Sequence, residues 1–152
     1  VKEWFDGTVI LSGAIGDGYS VASALALGAD FAYMGTRFIA TKEANADQSY
    51  KQMLIESAAD DIVLSSLFTG VSGNYLKPSI NKAGLDADNL PDADKSSMNF
   101  GSGGNTDAKA WKDIWGSGQG IGLIEDSPPV SELVERIKSE FDTAVSELQG
   151  RI

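Results

Sequence analysis

Two short apolar runs, Thr8-Val9-Ile10-Leu11 and Phe31-Ala32-Tyr33-Met34, constrain the fold of this chain more than any other feature. Each ends at glycine: Ser12-Gly13-Ala14-Ile15-Gly16-Asp17-Gly18 follows the first, and Gly35-Thr36-Arg37-Phe38 follows the second. Runs this short, apolar and rich in β-branched or aromatic residues read as buried strands of a parallel sheet. Between them, Tyr19 to Leu27 holds small or apolar residues, with Val21, Ala22, Leu25 and Ala26 at helical spacing. Gly28 then stands where a helix C′ glycine belongs. Parallel strands joined through a helix commit the chain to α/β architecture and exclude a sandwich or a bundle.

The middle of the chain is less regular. Asp47 to Ala58 predicts a helix with Tyr50, Met53, Leu54 and Ser57 on one side, and Ile62 to Leu64 predicts a short strand. Asn74, Tyr75 and Lys77 fall in a segment that reads as a surface turn or as a face toward substrate. Asp86 to Asp107, rich in Asp, Asn, Ser and Gly, reads as a long surface loop. Ala108 to Trp115 reads as a short helix that turns Trp111, Ile114 and Trp115 to a core, and a second glycine-rich turn, Gly116 to Gly122, follows it. Ser127 and two prolines then open the clearest helix, with Val130, Leu133, Val134, Ile137, Phe141, Val145 and Leu148 along one stripe.

Composition removes several function classes. The net charge of −10 argues against a nucleic-acid or anionic-membrane surface. No stretch approaches the roughly 18 apolar residues of a membrane span. With no cysteine, disulfides, thiolate nucleophiles and cysteine-bound metals are all excluded, which fits a cytoplasmic enzyme. Histidine is absent as well, so any general base in this segment is a carboxylate, a lysine or a tyrosine. Val1-Lys2-Glu3-Trp4 reads as an interior start, without a leader.

The two glycine corners are shaped for an anion. Glycine lets backbone N–H groups approach a phosphate, and the helix opening near Asp17-Gly18 adds a favourable dipole. Gly13, Gly16 and Gly18 do not have the spacing of a G-x-G-x-x-G dinucleotide fingerprint. At the second corner, Gly35 and Thr36 offer N–H groups and a hydroxyl, while Arg37 either pairs with the anion or serves as a structural ion-pair partner. Corners after two consecutive parallel strands match the shared phosphate site that eight-stranded barrels build after their seventh and eighth strands.

Ile10-Leu11-Ser12-Gly13-Ala14-Ile15, Ala26-Leu27-Gly28-Ala29-Asp30 and above all Met34-Gly35-Thr36-Arg37-Phe38 resemble the last two barrel strands of nitronate monooxygenases, formerly called 2-nitropropane dioxygenases. Their relatives are the enoyl reductases that use flavin mononucleotide (FMN). Phe68-Thr69-Gly70-Val71 and Trp115-Gly116-Ser117-Gly118-Gln119-Gly120 extend the likeness. The resemblance implies the C-terminal portion of a TIM (β/α)₈ barrel. Residues 1–46 would carry the phosphate loops, 47–115 an inserted helical and loop region, and 116–152 the second glycine turn and a barrel-covering helix. It further implies that Gly13, Ala14, Gly35 and Thr36 hold the FMN phosphate, and that Ser117, Gly118 and Gln119 approach the flavin. The family shows Gly-Gly where this chain has Gly13-Ala14, and alanine tolerates the same contact if its φ is negative.

The activity so implied is oxidation of an alkyl nitronate by O₂ to a carbonyl compound and nitrite. Its histidine base and the remaining strands are expected upstream, in another part of the same barrel, and a homo-oligomer stays open. Three other readings stand beside it: an FMN-dependent enoyl-thioester reductase, a non-redox phosphate-binding barrel, and a catalytically silent fragment.

Overall fold

The computed structural model describes residues 1–91 and 113–152, which form two compact units: Val1–Ile55 with Gly120–Ile152, and Glu56–Gln119. The first unit is built on strands β1 (Ile10–Ser12) and β2 (Phe31–Tyr33), joined by helix α1 (Gly18–Ala26). The strands pair in parallel, with Ile10 opposite Phe31, Leu11 opposite Ala32 and Ser12 opposite Tyr33. The β-α-β unit read from the sequence is therefore present, each strand one residue shorter and β1 displaced toward Ser12.

Helix α1 is bounded as its sequence demands. Asp17 is extended and its carboxylate accepts from the Ser20 amide at 2.7 Å, while Ser20 Oγ accepts from the Asp17 amide at 3.1 Å. That reciprocal pair closes the first turn. At the other end Gly28 adopts a φ of 92°, its amide donates to Leu25 O at 2.9 Å, and the Ala29 amide donates to Ala24 O at 3.1 Å. These two bonds form a Schellman motif, whose left-handed position only glycine fills cheaply. Asp30 then ties the two strand starts together, accepting from the Val9 amide at 2.7 Å and from Lys2 Nζ at 2.6 Å.

Helix α2 (Thr36–Ile39) follows β2 directly, and helix α3 (Gln48–Glu56) comes next. Helix α3 clusters with the sheet unit: Lys51, buried within it, donates to Lys42 O at 3.3 Å. Helix α5 (Val130–Gln149) packs along α1. Its start is not capped by Ser127. The Glu43 carboxylate, far away in sequence, receives the Val130 amide at 2.9 and 3.1 Å.

One expectation is reversed. β1 and β2 read as buried strands, yet Ile10 is 59%, Phe31 60% and Tyr33 63% exposed. Among the described residues this sheet has two strands, so no further strand pairs with either outer edge.

The second unit holds a 3₁₀ turn at Ala59–Asp61, strand β3 (Ile62–Ser65), strand β4 (Gly73–Leu76) and helix α4 (Lys77–Lys82). β3 and β4 are antiparallel, with Val63 opposite Tyr75. Leu67, Phe68, Tyr75, Ile80, Ala87 and Ile114 form its core, and the Phe68 and Tyr75 rings meet edge to face at 4.8 Å. Asn74 and Tyr75 are thus strand residues and not a surface turn. Trp115, read as the end of a helix, is part of an extended segment: Leu76 N donates to Trp115 O at 2.8 Å and Ser117 N to Asn74 O at 3.2 Å. Pairing with β4 overrides local helix preference there. Trp111 and most of the Asp86 to Asp107 loop lie outside the described residues.

Candidate functional site

Because Ser12 lies opposite Tyr33 in a parallel pair, the chain leaves both strands at the same end of the sheet. Neighbouring strands are about 4.8 Å apart, so Gly13-Ala14 and Met34-Gly35-Thr36 emerge side by side. Of these, Gly13, Ala14 and Gly35 are exposed and Thr36 is half-buried. A Cβ placed on Gly13 or on Gly35 would meet no atom within 4 Å, so open space adjoins both backbones. Gly13 has a φ of 101° and Ala14 a φ of 55°. The condition of a negative φ at Ala14 is therefore not met. This alanine occupies the left-handed region, where a side chain costs about 1–2 kcal/mol.

The start of α1 does not offer the expected anion site. Asp17 covers the Ser20 amide, and the Glu140 carboxylate of α5 accepts from the Gly18 amide at 2.8 Å. Two carboxylates already satisfy this helix end and would repel a third anion.

Arg37 resolves toward its structural alternative. It is 3% exposed, and its guanidinium donates to Asp126 Oδ1 at 2.8 Å and to Asp126 O at 3.2 Å. Arg136 holds the same carboxylate through both oxygens, at 3.0 and 2.7 Å. The Arg136 guanidinium, and Arg37 after it, hold the Asp126 carboxyl below the usual carboxylate range. The partner of Arg37 was not legible locally, since Asp126 lies 89 residues downstream.

Ser117, Gly118 and Gln119 belong to the other unit. Ser117 is buried and its hydroxyl donates to Gly118 O at 3.2 Å. Gln119 opens a 3₁₀ turn, Gln119–Leu123, and its next residue returns to the sheet unit. That residue, Gly120, is one that sequence reading missed. A Cβ there would lie 3.0 Å from both C and O of Ala14. The second glycine-rich turn thus has a concrete reason for glycine, which is close passage over the first corner's backbone.

Two groups of the types able to act as a base are shifted away from neutral pH. Burial pushes the Tyr50 hydroxyl up to about 12. A hydrogen bond to Asp88 holds the Lys77 ammonium above its ordinary value. The described residues contain no cluster of carboxylates able to hold a metal and no helix long and apolar enough to cross a membrane. A groove of about 910 Å³ runs along α1 and α5, lined by Tyr19, Ala26, Leu27, Phe141 and Leu148, and no corner residue borders it.

Comparison with known proteins bears on this geometry. The family model described as "Nitronate monooxygenase" matches residues 5–140. A protein named nitronate monooxygenase from Paraburkholderia phytofirmans is 31% identical over 147 residues, covering 93% of this chain and 40% of its own length. A mutant form of FabK from Thermotoga maritima superposes with a TM-score of 0.72 at 26% identity, covering all of this chain and 48% of that one. Nitroalkane oxidase from Streptomyces ansochromogenes superposes with a TM-score of 0.67 at 25% identity, over 97% of this chain and 43% of that one. The chain spans about 40% of the length of the curated relatives it matches most fully.

Proposed function

This chain belongs to the nitronate monooxygenase family, and on that premise we propose that it supplies the FMN-phosphate half of a (β/α)₈-barrel oxidoreductase. The reaction is oxidation of an alkyl nitronate by O₂ to a carbonyl compound and nitrite, in the cytoplasm. The chain contributes the last two barrel strands, and its exposed β1–β2 faces are where the other strands of the same barrel pack. In this division of labour residues 1–46 carry the phosphate corners and 116–152 the helix that covers the barrel.

The observation that carries this reading is the parallel register of Ser12 with Tyr33, which sends two glycine corners out of adjacent strands at one end. The residues fit a phosphate: Gly13 and Gly35 present backbone beside open space, and Thr36 adds a hydroxyl. Gly13, Ala14, Gly35 and Thr36 bind and orient the phosphate through neutral donors, with Gly120 passing over the first corner. Ser117, Gly118 and Gln119 are assigned to the flavin beyond its phosphate. Bound FMN supplies the redox chemistry; the protein supplies placement and electrostatics. With no histidine in the chain, the proton-handling group for the nitronate belongs to another part of the barrel.

A second reading, an FMN-dependent enoyl-thioester reductase, draws on the likeness to FabK. Nitrite release from a nitronate, set against enoyl-thioester-dependent nicotinamide oxidation, separates the two. The phosphate assignment is tested by replacing Gly35 with Asp and Thr36 with Glu and following flavin fluorescence on titration with FMN. Carboxylates beside a dianion should abolish uptake; undiminished uptake would remove both residues from the site.

A further inference from the structure

We infer that Asp126 is a positioning residue for the second phosphate corner, with Arg136 clamping it from behind. The inference rests on the FMN-phosphate reading above and deepens it.

Helix α2 has four residues, Thr36–Ile39, too few to fix its own direction. Its placement comes from bonds to the chain around the start of α5. Arg37, the residue after Thr36, buries its guanidinium against Asp126 with bonds of 2.8 and 3.2 Å. Lys42 N donates to Pro128 O at 3.0 Å, and Glu43 receives the Val130 amide at 2.9 Å. Of these ties, the one nearest the corner is Arg37 to Asp126. Arg136 then grips both Asp126 oxygens while reaching Glu132 at 3.4 Å, so the carboxylate is itself held in one orientation.

This arrangement has two effects on the corner. The first is position: with Arg37 anchored, the Gly35-Thr36 backbone beyond the end of β2 is held in place from the next residue. The second is charge. The Arg37 cation is spent on Asp126, so the corner grips a phosphate through neutral N–H groups and the Thr36 hydroxyl, and the guanidinium does not swing in to compete for the position. Both effects concern the phosphate and leave the flavin ring untouched, which makes the role separable from general stability.

The test compares FMN with riboflavin, which lacks only the phosphate, by fluorescence titration of the full chain. In Asp126→Asn, which keeps an acceptor but removes the charge that strengthens the bond to Arg37, FMN affinity should fall about tenfold, while riboflavin affinity changes less than twofold. Arg136→Met, which leaves the Arg37–Asp126 contact in place, should show a smaller loss in the same direction and covers the case of a poorly folded Asp126→Asn. Asp30→Asn, which loosens the opposite end of the strand pair, should leave the FMN-to-riboflavin ratio unchanged. An unchanged ratio in both Asp126→Asn and Arg136→Met, or an equal fall in Asp30→Asn, overturns the positioning role. If the native chain itself binds FMN no better than riboflavin, the phosphate reading fails and takes this inference with it.

Discussion

The Gly18 amide donates to the Glu140 carboxylate at 2.8 Å, a bond that closes the start of α1 with a side chain from the middle of α5. The two helices meet there backbone to backbone. A Cβ on Gly18 would lie 2.2 Å from Ile137 O and 2.3 Å from Phe141 N. Neither atom can rotate away, so relief requires α5 to shift as a body.

The Gly18→Ala variant should therefore lose about 3 kcal/mol, the upper part of the range for forced overpacking. Urea unfolding measures it. A loss below about 0.5 kcal/mol, the range of ordinary surface changes, would mean the helices do not cross at this residue.

Ala14 makes the opposite prediction. Its φ of 55° strains alanine but not glycine. Ala14→Gly should gain about 0.5–1 kcal/mol, the left-handed strain relieved less the extra freedom of glycine in the unfolded chain. FMN uptake should be kept or improved, because the backbone path is unchanged. Ala14→Val should lower both the melting temperature and FMN affinity. If Ala14→Gly proves destabilising, the turn has a different conformation in solution.

Gly120 and Gly122 form a matched pair. A Cβ at 120 presses on the Ala14 backbone at 3.0 Å, whereas at 122 it meets nothing within 4 Å. Gly120→Ala should cost about 1–2 kcal/mol and weaken FMN binding by displacing the first corner. Gly122→Ala should stay within about 0.5 kcal/mol. Equal effects at the two positions would disconnect the second glycine turn from the first corner.

These contrasts show which parts of the structure were readable from sequence. Period and punctuation located β1, α1, β2 and α5, because apolar spacing, the Asp17 cap and the Gly28 terminus act over a few residues. That Gly13-Ala14 and Gly35-Thr36 follow directly on the two strands was readable for the same reason. Contacts far apart in sequence were not. Nothing near Gly18 announces Glu140, and nothing near Arg37 announces Asp126, so the filled α1 start and the tied arginine appear only in three dimensions. Trp115 illustrates tertiary override: its neighbours favour helix, yet β4 recruits its carbonyl into an extended pairing. Gly120 was seen as a loop glycine, but its reason, the Ala14 backbone, lies a hundred residues earlier.

The Asp126 clamp should also set the acid limit of the sheet unit. Arg136 first, and Arg37 with it, hold this carboxyl below its ordinary range, with Glu132 the other titrating group that contacts the clamp. A carboxylate whose pKa is depressed on folding contributes stability above its unfolded pKa of about 3.9, and the contribution disappears as pH falls through the lower folded value. Stability should thus be level near neutrality and decline below about pH 4, as protonation strips Arg136 and Arg37 of their shared counter-charge. Much of the carboxylate is solvated, its side chain being 42% exposed, so the effect is modest and screened by salt. Asp126→Asn removes the titrating group while keeping the shape, so its melting temperature should be lower at pH 7 and converge with the native value in acid. Parallel curves, with a constant offset down to pH 2.5, would show that Asp126 contributes through packing and not through charge.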